Sequence, residues 1–352
     1  MSARRTRELE HTAPLFADGS HTASRPPAHR IVAGIDEAGL GPMLGPLVIA
    51  LCAFRVARAP LDLWEALGSV VAREPSRDAS RLVVADSKVV FTRTPAGARR
   101  LEHTVLAFEA WRHGSTKPCT DTRAFLKDCA LASNGSGLTR EAWYASLPER
   151  LSPEFDADEL APTVMRLTDS AARAQVQPLA TWVHAVPAPA LNASFERTQN
   201  KSVTHWEASA QLLVELWSRH GHEGIDLVVD RHGGRMRYAA LLRDTLPGSV
   251  VEIVSELPVR SEYVVTDESG RSMRIVFAER AESLSLPVAL ASCSAKYARE
   301  ACMHAFNAYF LAFQPDLVPT AGYVTDARRW LAEANVAIAR SGLARETIVR
   351  SR

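Results

Sequence analysis

The chain has 352 residues, a formal net charge of +1 and a hydrophobic share of 47%. That length is ample for a sizeable core in one large domain or two ordinary ones, and that share excludes wholesale disorder. The near-zero charge excludes a uniformly basic nucleic-acid coat, so any anion-binding surface must be local.

Residues 1–29 open with arginines and continue rich in Ser, Thr, Pro and His, without an apolar signal region. They read as a disordered N-terminal tail ahead of one domain over 30–352. RIVAGID (30–36) and PLVIALCAFRVA (46–57) read as paired antiparallel strands around a Gly- and Pro-rich connection. A helix is expected over 61–72, with Leu61, Trp64 and Leu67 on one face. A stronger one is expected over 94–112, with Thr94 as N-cap and Pro95 in its first turn. Residues 113–180 carry weak periodicity between HGSTKP, SNGSG and LSPEFDADELAP. They read as an inserted, mainly helical and locally mobile subdomain. Helical spacing resumes over 203–219, and IDLVVD (225–230) is a short strand ending in an acid. A helix over 237–246, a strand over 249–255 and a hairpin over 261–278 follow. Helices over 286–313 and 325–341 close the chain. The pattern is α/β: a mixed sheet flanked by helices.

Five cysteines, Cys52, Cys119, Cys129, Cys293 and Cys302, contain no C-x-x-C pair. They read as reduced thiols of a cytoplasmic protein, with Cys293 and Cys302 packing. No run of 18 apolar residues is present, so no membrane span is expected.

Four groups carry candidate chemistry. Asp36 and Glu37 end a strand beside a glycine-rich turn. Successive strand residues face opposite ways, so the two acids share a site only if the backbone turns there. Asp230 ends a second strand, at the sheet edge where sites form in open α/β sheets. Ser292, Lys296, Glu300 and His304 recur every four residues and make one polar stripe on a long helix. Asp86-Ser87-Lys88 follows an apolar run and places an ammonium at a loop. Each group alone has an ordinary structural explanation: a solvated strand end, a turn aspartate, a wet helix face, an exposed loop. Together, Asp36, Glu37, Asp230 and Glu300 make an oxygen-only donor set suited to Mg²⁺ or Mn²⁺.

The wording around these residues is more specific. GIDEAGLGPMLGPLVIA (34–50) resembles the opening G-[IV]-D-E-A-G-R-G-P-x-x-G-P motif of type 2 ribonucleases H. ADSKVV (85–90) is similar to that family's D-S-K loop, and DLVVDRHGGR (226–235) to the strand delivering its third acid. AESLSLPVALASCSAKYARE (281–300) resembles its S-x-S-I-A-A-A-S-I-x-A-K-V-T-R-D segment, and GYVTDARRWL (322–331) its later G-Y-x-T segment. The five segments stand in the family's order and leave 1–29 and 113–180 unmatched.

The resemblance implies a ribonuclease H-like fold. It also implies two-metal-ion hydrolysis of the RNA strand in RNA–DNA hybrids, or cleavage 5′ of ribonucleotides embedded in duplex DNA. It makes Asp36, Glu37, Asp230 and Glu300 metal ligands. Lys296 would orient Glu300 or stabilise developing charge. Gly39, Leu40, Gly41, Ser87, Lys88 and Tyr323 would meet substrate, with Tyr323 on the sugar at the RNA–DNA junction. A monomer is expected. Three departures stand out. Leu40 replaces the family's arginine, Glu300 stands at an acid that is Asp in the bacterial type 2 branch, and 113–180 and 261–278 have no counterpart in the minimal enzyme.

Two other readings compete. A repurposed nucleic-acid-binding protein of this fold would bind hybrid without cutting it. An unrelated α/β enzyme is disfavoured, because neither G-x-G-x-x-G, G-x-x-x-x-G-K-[ST] nor H-E-x-x-H occurs. Arg93, Arg99, Arg100, Arg231, Arg235, Arg237, Arg328 and Arg329 lie near the motif segments in sequence, and would make binding salt-sensitive if they lined one groove.

Overall fold

A computed structural model gives the fold of residues 29–57, 61–75, 80–131, 138 and 141–351. The tail expected over 1–29 lies outside these residues, except for His29. In chain order, β1 (Arg30–Ala38) and β2 (Leu47–Val56) lead to α1 (Leu63–Ala66), β3 (Val71–Ala72) and β4 (Leu82–Val83). Then come α2 (Ser87–Val90), α3 (Pro95–Arg112), α4 (Thr122–Asp128), α5 (Leu160–Ala174) and β5 (Val176–Val186). Next are α6 (Ala188–Thr198), α7 (Lys201–His220), β6 (Ile225–Asp230), α8 (Ala239–Thr245), β7 (Ser249–Glu256), β8 (Arg260–Asp267) and β9 (Ser272–Ala278). The chain closes with α9 (Ala281–Leu284), α10 (Leu286–Leu311), α11 (Val324–Glu333), α12 (Asn335–Ser341) and α13 (Arg345–Ile348).

Seven strands form one mixed sheet in the order β5-β2-β1-β6-β9-β8-β7. β1 pairs antiparallel with β2, with Asp36 opposite Ala50, and parallel with β6, with Ile35 opposite Val229. This is the helix-flanked mixed sheet that the resemblance implies. Alternation along β2 builds both faces. Val48, Ala50, Cys52 and Phe54 join the core of α3, α5 and α10, while Leu47, Ile49, Leu51 and Ala53 join that of α7 and α8. Each such large apolar side chain, fully buried, contributes about 1.5–3 kcal/mol before entropy is counted.

Helix α10 lies directly on β1. A Cβ at Gly34 would stand 2.2 Å from the backbone nitrogen of Val288, so only glycine admits this approach. The contact holds the helix carrying Ser292 and Lys296 two residues from Asp36.

Some elements differ from expectation. The helix expected over 61–72 shrinks to α1: Asp62 caps it by accepting from Trp64 N at 2.8 Å, and β-branched Val71 leaves to pair with Leu82. The helix expected over 325–341 breaks at Ala334 into α11 and α12. The 113–180 segment supplies α4 and α5, whose apolar residues join the sheet's own core, and its last residues, 176–180, begin β5. All five cysteines are free, and Cys293 and Cys302 are fully buried. Among the described residues no helix is long and apolar enough to cross a membrane.

Candidate metal and nucleic-acid site

Strand β1 runs on without a break through Ala38, so no turn separates Asp36 from Glu37. Asp36 follows Val32 and Gly34 on the α10 face. Glu37 lies on the α7 face, where His205 Nε2 stands 3.5 Å from its Oε2. The two carboxylates still converge, because both reach over the strand end. Asp230 ends the neighbouring parallel strand β6, and its Oδ1 accepts from Ala281 N at 3.2 Å. Asp36, Glu37 and Asp230 each place a carboxylate oxygen within 4.8 Å of the others.

These acids open into a cavity of about 390 Å³. Its walls include the Gly39–Pro42 turn, Asp86, Ser87, Lys88, Ser292, Lys296 and Tyr323. Helix α2 is capped by Asp86, which accepts from Lys88 N at 2.9 Å, and Ser87 N donates to Ser292 Oγ at 3.4 Å. The D-S-K segment is thereby tied to α10. Lys88 stays exposed with its ammonium 3.7 Å from Asp86. Lys296 is held between Glu300, at 2.6 Å, and the ring of Phe91, at 4.6 Å.

The electrostatics suit a cation. Burial, then Glu37 and Asp230, push the Asp36 carboxyl well above its usual range, with Ser292 opposing. Burial and Glu37 push Asp230 up to about 7. Burial would also raise Glu37, but His205 and Lys88 outweigh it and hold Glu37 below its ordinary value. Three crowded carboxylates whose charges are poorly compensated suit a hard divalent cation. Asp36, Glu37 and Asp230 are the residues that would hold it.

Glu300 is not brought to this group. Its pairing with Lys296 leaves it on the wall of a neighbouring cavity with Arg93, Met303 and His304. The polar stripe of α10 diverges as the helix leaves the sheet: Ser292 is buried, His304 exposed. The acid cavity instead contains Glu282 of α9, whose charge acts on Asp230 and Lys88. Arg280, just before α9, takes a left-handed φ of 56°, a strained geometry that turns the chain from β9 into α9. The sequence offered one signal for Glu282, its place two residues into the AESLSLP segment, and that signal does not separate it from a helix-start acid. Arg280, Arg299 and His205 were likewise not singled out.

Gly39 has φ +89°, and a Cβ there would meet Arg299 Nε at 2.3 Å. Gly41 differs: a Cβ there would meet nothing within 4 Å. The chain's own packing therefore does not demand glycine at 41, and the space above it is open to a ligand. Leu40 is 40% exposed between them. Tyr323 is 46% exposed, with the Arg299 guanidinium 5.5 Å from its ring centre. Of the arginines near the motif segments, Arg99 pairs with Glu159, Arg231 with Glu279, and Arg329 with Asp326 and Glu333. The cations lining the acid cavity are Lys88, Arg280, Lys296 and Arg299.

No protein-family model matches the chain, and no curated protein matches it. Several solved structures are similar. RNase HII from Archaeoglobus fulgidus, solved in complex with PCNA, is 18% identical over 92% of this chain and 94% of its own, with a TM-score of 0.40. Ribonuclease H2 from Pyrococcus horikoshii is 16% identical over 90% of this chain and 92% of its own, with a TM-score of 0.41. Bst-RNase HIII in complex with Mn²⁺ is 16% identical over 91% of this chain and 65% of its own, with a TM-score of 0.38.

Proposed function

We propose that this chain is a metal-dependent, ribonuclease H-like endonuclease. Its substrate is the RNA strand of RNA–DNA hybrids, or the ribonucleotide junction in duplex DNA. The observation that carries this reading is the meeting of Asp36, Glu37 and Asp230 within 4.8 Å, in a cavity that also gathers Ser87, Lys88, Lys296 and Tyr323. Residues from all five motif segments thus reach one place, although they are up to 287 positions apart in sequence (Asp36 to Tyr323).

Asp36, Glu37 and Asp230 would hold Mg²⁺ or Mn²⁺, with Glu282 as a further carboxylate at the cavity wall. Bound there, the metal supplies Lewis acidity for phosphodiester hydrolysis. The protein does the rest. His205 holds Glu37 from behind. Lys88 and Lys296 supply positive charge facing the phosphate, which is worth more in a water-poor cavity than in solution. The open space above Gly41 lets backbone approach a ribose, where a 2′-hydroxyl distinguishes RNA from DNA. Tyr323 offers a ring face to the sugar.

The test is cleavage of three labelled substrates with Mg²⁺ and with Mn²⁺: an RNA–DNA hybrid, a DNA duplex with one ribonucleotide, and plain duplex DNA. Cleavage confined to the RNA-containing substrates, and lost in Asp36→Asn, is the expected result. Binding of hybrid with no cleavage under either metal would overturn the catalytic reading.

A further inference from the structure

A second cavity continues past the Gly39–Pro42 turn, away from the acids, and shares Leu40, Gly41 and Pro42 with the first. Its far wall is Leu191 and Phe195 of α6 and the first turn of α7, from Lys201 to His205. Its floor includes Arg350 near the C-terminus. No carboxylate lines it among the described residues.

One buried polar side chain at this cavity is left unsatisfied among the described residues. His205, 2% exposed, turns its Nε2 towards Glu37 at 3.5 Å and so belongs to the acid site. Arg350 is 7% exposed. Its Nε donates to Gly45 O at 2.7 Å and its Nη1 to Gly39 O at 2.5 Å, while Nη2 has no partner. Among the described residues its charge therefore meets only neutral carbonyls. A buried guanidinium without a carboxylate is costly unless an anion completes it. Lys201 adds an exposed ammonium that makes no hydrogen bond or ion pair among the described residues, at the positive end of a 20-residue helix. Half-buried Phe195 belongs to no apolar cluster of the core and stands at the same cavity.

We infer that this cavity is a substrate subsite. Lys201 and Arg350 receive a phosphodiester of the strand that passes Leu40, and Phe195 stacks on the adjoining base. The inference rests on the nuclease reading and extends it to the neighbouring nucleotide. It also gives a physical role to Leu40: an apolar residue, rather than a competing cation, separates the metal-site acids from a basic pocket. Stacking on one aromatic ring is sequence-tolerant, so the subsite contributes affinity without base choice.

The experiment is fluorescence anisotropy of a labelled RNA–DNA hybrid with the full chain in EDTA, which stops cleavage, from about 50 to about 200 mM salt. Lys201→Ala is expected to weaken binding several-fold and to reduce the log–log salt slope by about one. Lys201→Arg should restore the slope. Phe195→Ala should weaken binding about tenfold with the slope unchanged. Lys201 is exposed at a helix start, so its variants fold even if Phe195→Ala does not. Unaltered affinity and slope in Lys201→Ala, with the unmodified chain binding hybrid, overturns the subsite alone. Failure of the unmodified chain to bind hybrid overturns the nuclease reading and the subsite with it.

Discussion

Lys296 Nζ stands 2.6 Å from Glu300 Oε1, one helical turn along α10, and Lys296 faces the acid cavity while Glu300 does not. The pair works as a bracket. The carboxylate and the Phe91 ring fix the ammonium from two sides and leave it directed at the cavity. Glu300 thus borders the cavity only by way of Lys296, whereas Glu282, like Asp86, lines it directly.

The two acids should separate experimentally. Glu282→Gln removes a charge beside Asp230, so Mn²⁺ affinity should fall about 10–100-fold, the range seen when groups supporting a metal site are lost. Glu300→Gln should leave Mn²⁺ affinity within about threefold and lower kcat by loosening Lys296. Calorimetric Mn²⁺ titration of both variants decides it; a larger affinity loss in Glu300→Gln would reverse the assignment.

Protonation gives a second test. Asp36 is pushed well above its usual range and Asp230 up to about 7, so the folded metal-free chain keeps protons that the unfolded chain releases near pH 4. Their contribution to stability is present below pH 4 and is lost as pH rises towards 7. Glu37, held low, works in the opposite sense at more acid pH. Asp230→Asn isolates one carboxylate. Its Tm advantage over the unmodified chain should grow by roughly 2–6 °C between pH 5 and pH 8 without metal, and shrink when Mn²⁺ is added. A Tm difference independent of pH would show that Asp230 is not strained by its neighbours. Cleavage should be lost in both Asp230→Asn and Asp36→Asn, and Mn²⁺ affinity of the unmodified chain should rise from pH 6 to pH 8 as the ligands lose protons.

Much of this arrangement was legible in the chain. Continuous apolar runs marked β1 and β2, because both faces of β2 are core. Thr94 and Pro95 marked the start of α3, where Thr94 does accept from Gly97 N at 3.2 Å. Asp36, Glu37 and Asp230 were legible as acids ending strands. What the sequence could not show is which acids meet across the fold. Periodicity placed Glu300 on one stripe with Ser292, but a stripe 12 Å long (eight residues at about 1.5 Å each) cannot converge on one point. Glu282 was hidden because its position depends on the strained turn at Arg280, and Arg350 because it returns from the C-terminus, 311 residues from the Gly39 carbonyl it meets.

Three glycines around the site should respond differently to alanine. At Gly34 the new Cβ meets Val288 backbone at 2.2 Å, so α10 must move; a loss of about 3 kcal/mol or more is expected. At Gly39 a positive φ and the Arg299 side chain both oppose it. At Gly41 nothing opposes it. Gly41→Ala should keep the Tm of the unmodified chain and raise KM for RNA-containing duplex, with kcat less affected. Equal kinetics in Gly41→Ala would mean that no substrate atom enters the space above residue 41.

Leu40→Arg reads the remaining departure. Leu40 is 40% exposed at the junction of the two cavities, so a longer side chain extends into solvent without overpacking. An added guanidinium there lies over the carboxylates of the acid cavity on one side and beside Lys201 and Arg350 on the other. Two outcomes are physically distinct. If the position faces a substrate phosphate, the variant should lower KM for a duplex with one ribonucleotide and steepen the salt slope by about one. If the new cation instead pairs with Asp36 or Glu37, Mn²⁺ affinity should fall and KM should not improve. The open approach above Gly41 favours the first, and parallel measurement of KM, salt slope and Mn²⁺ affinity on the same variant distinguishes them.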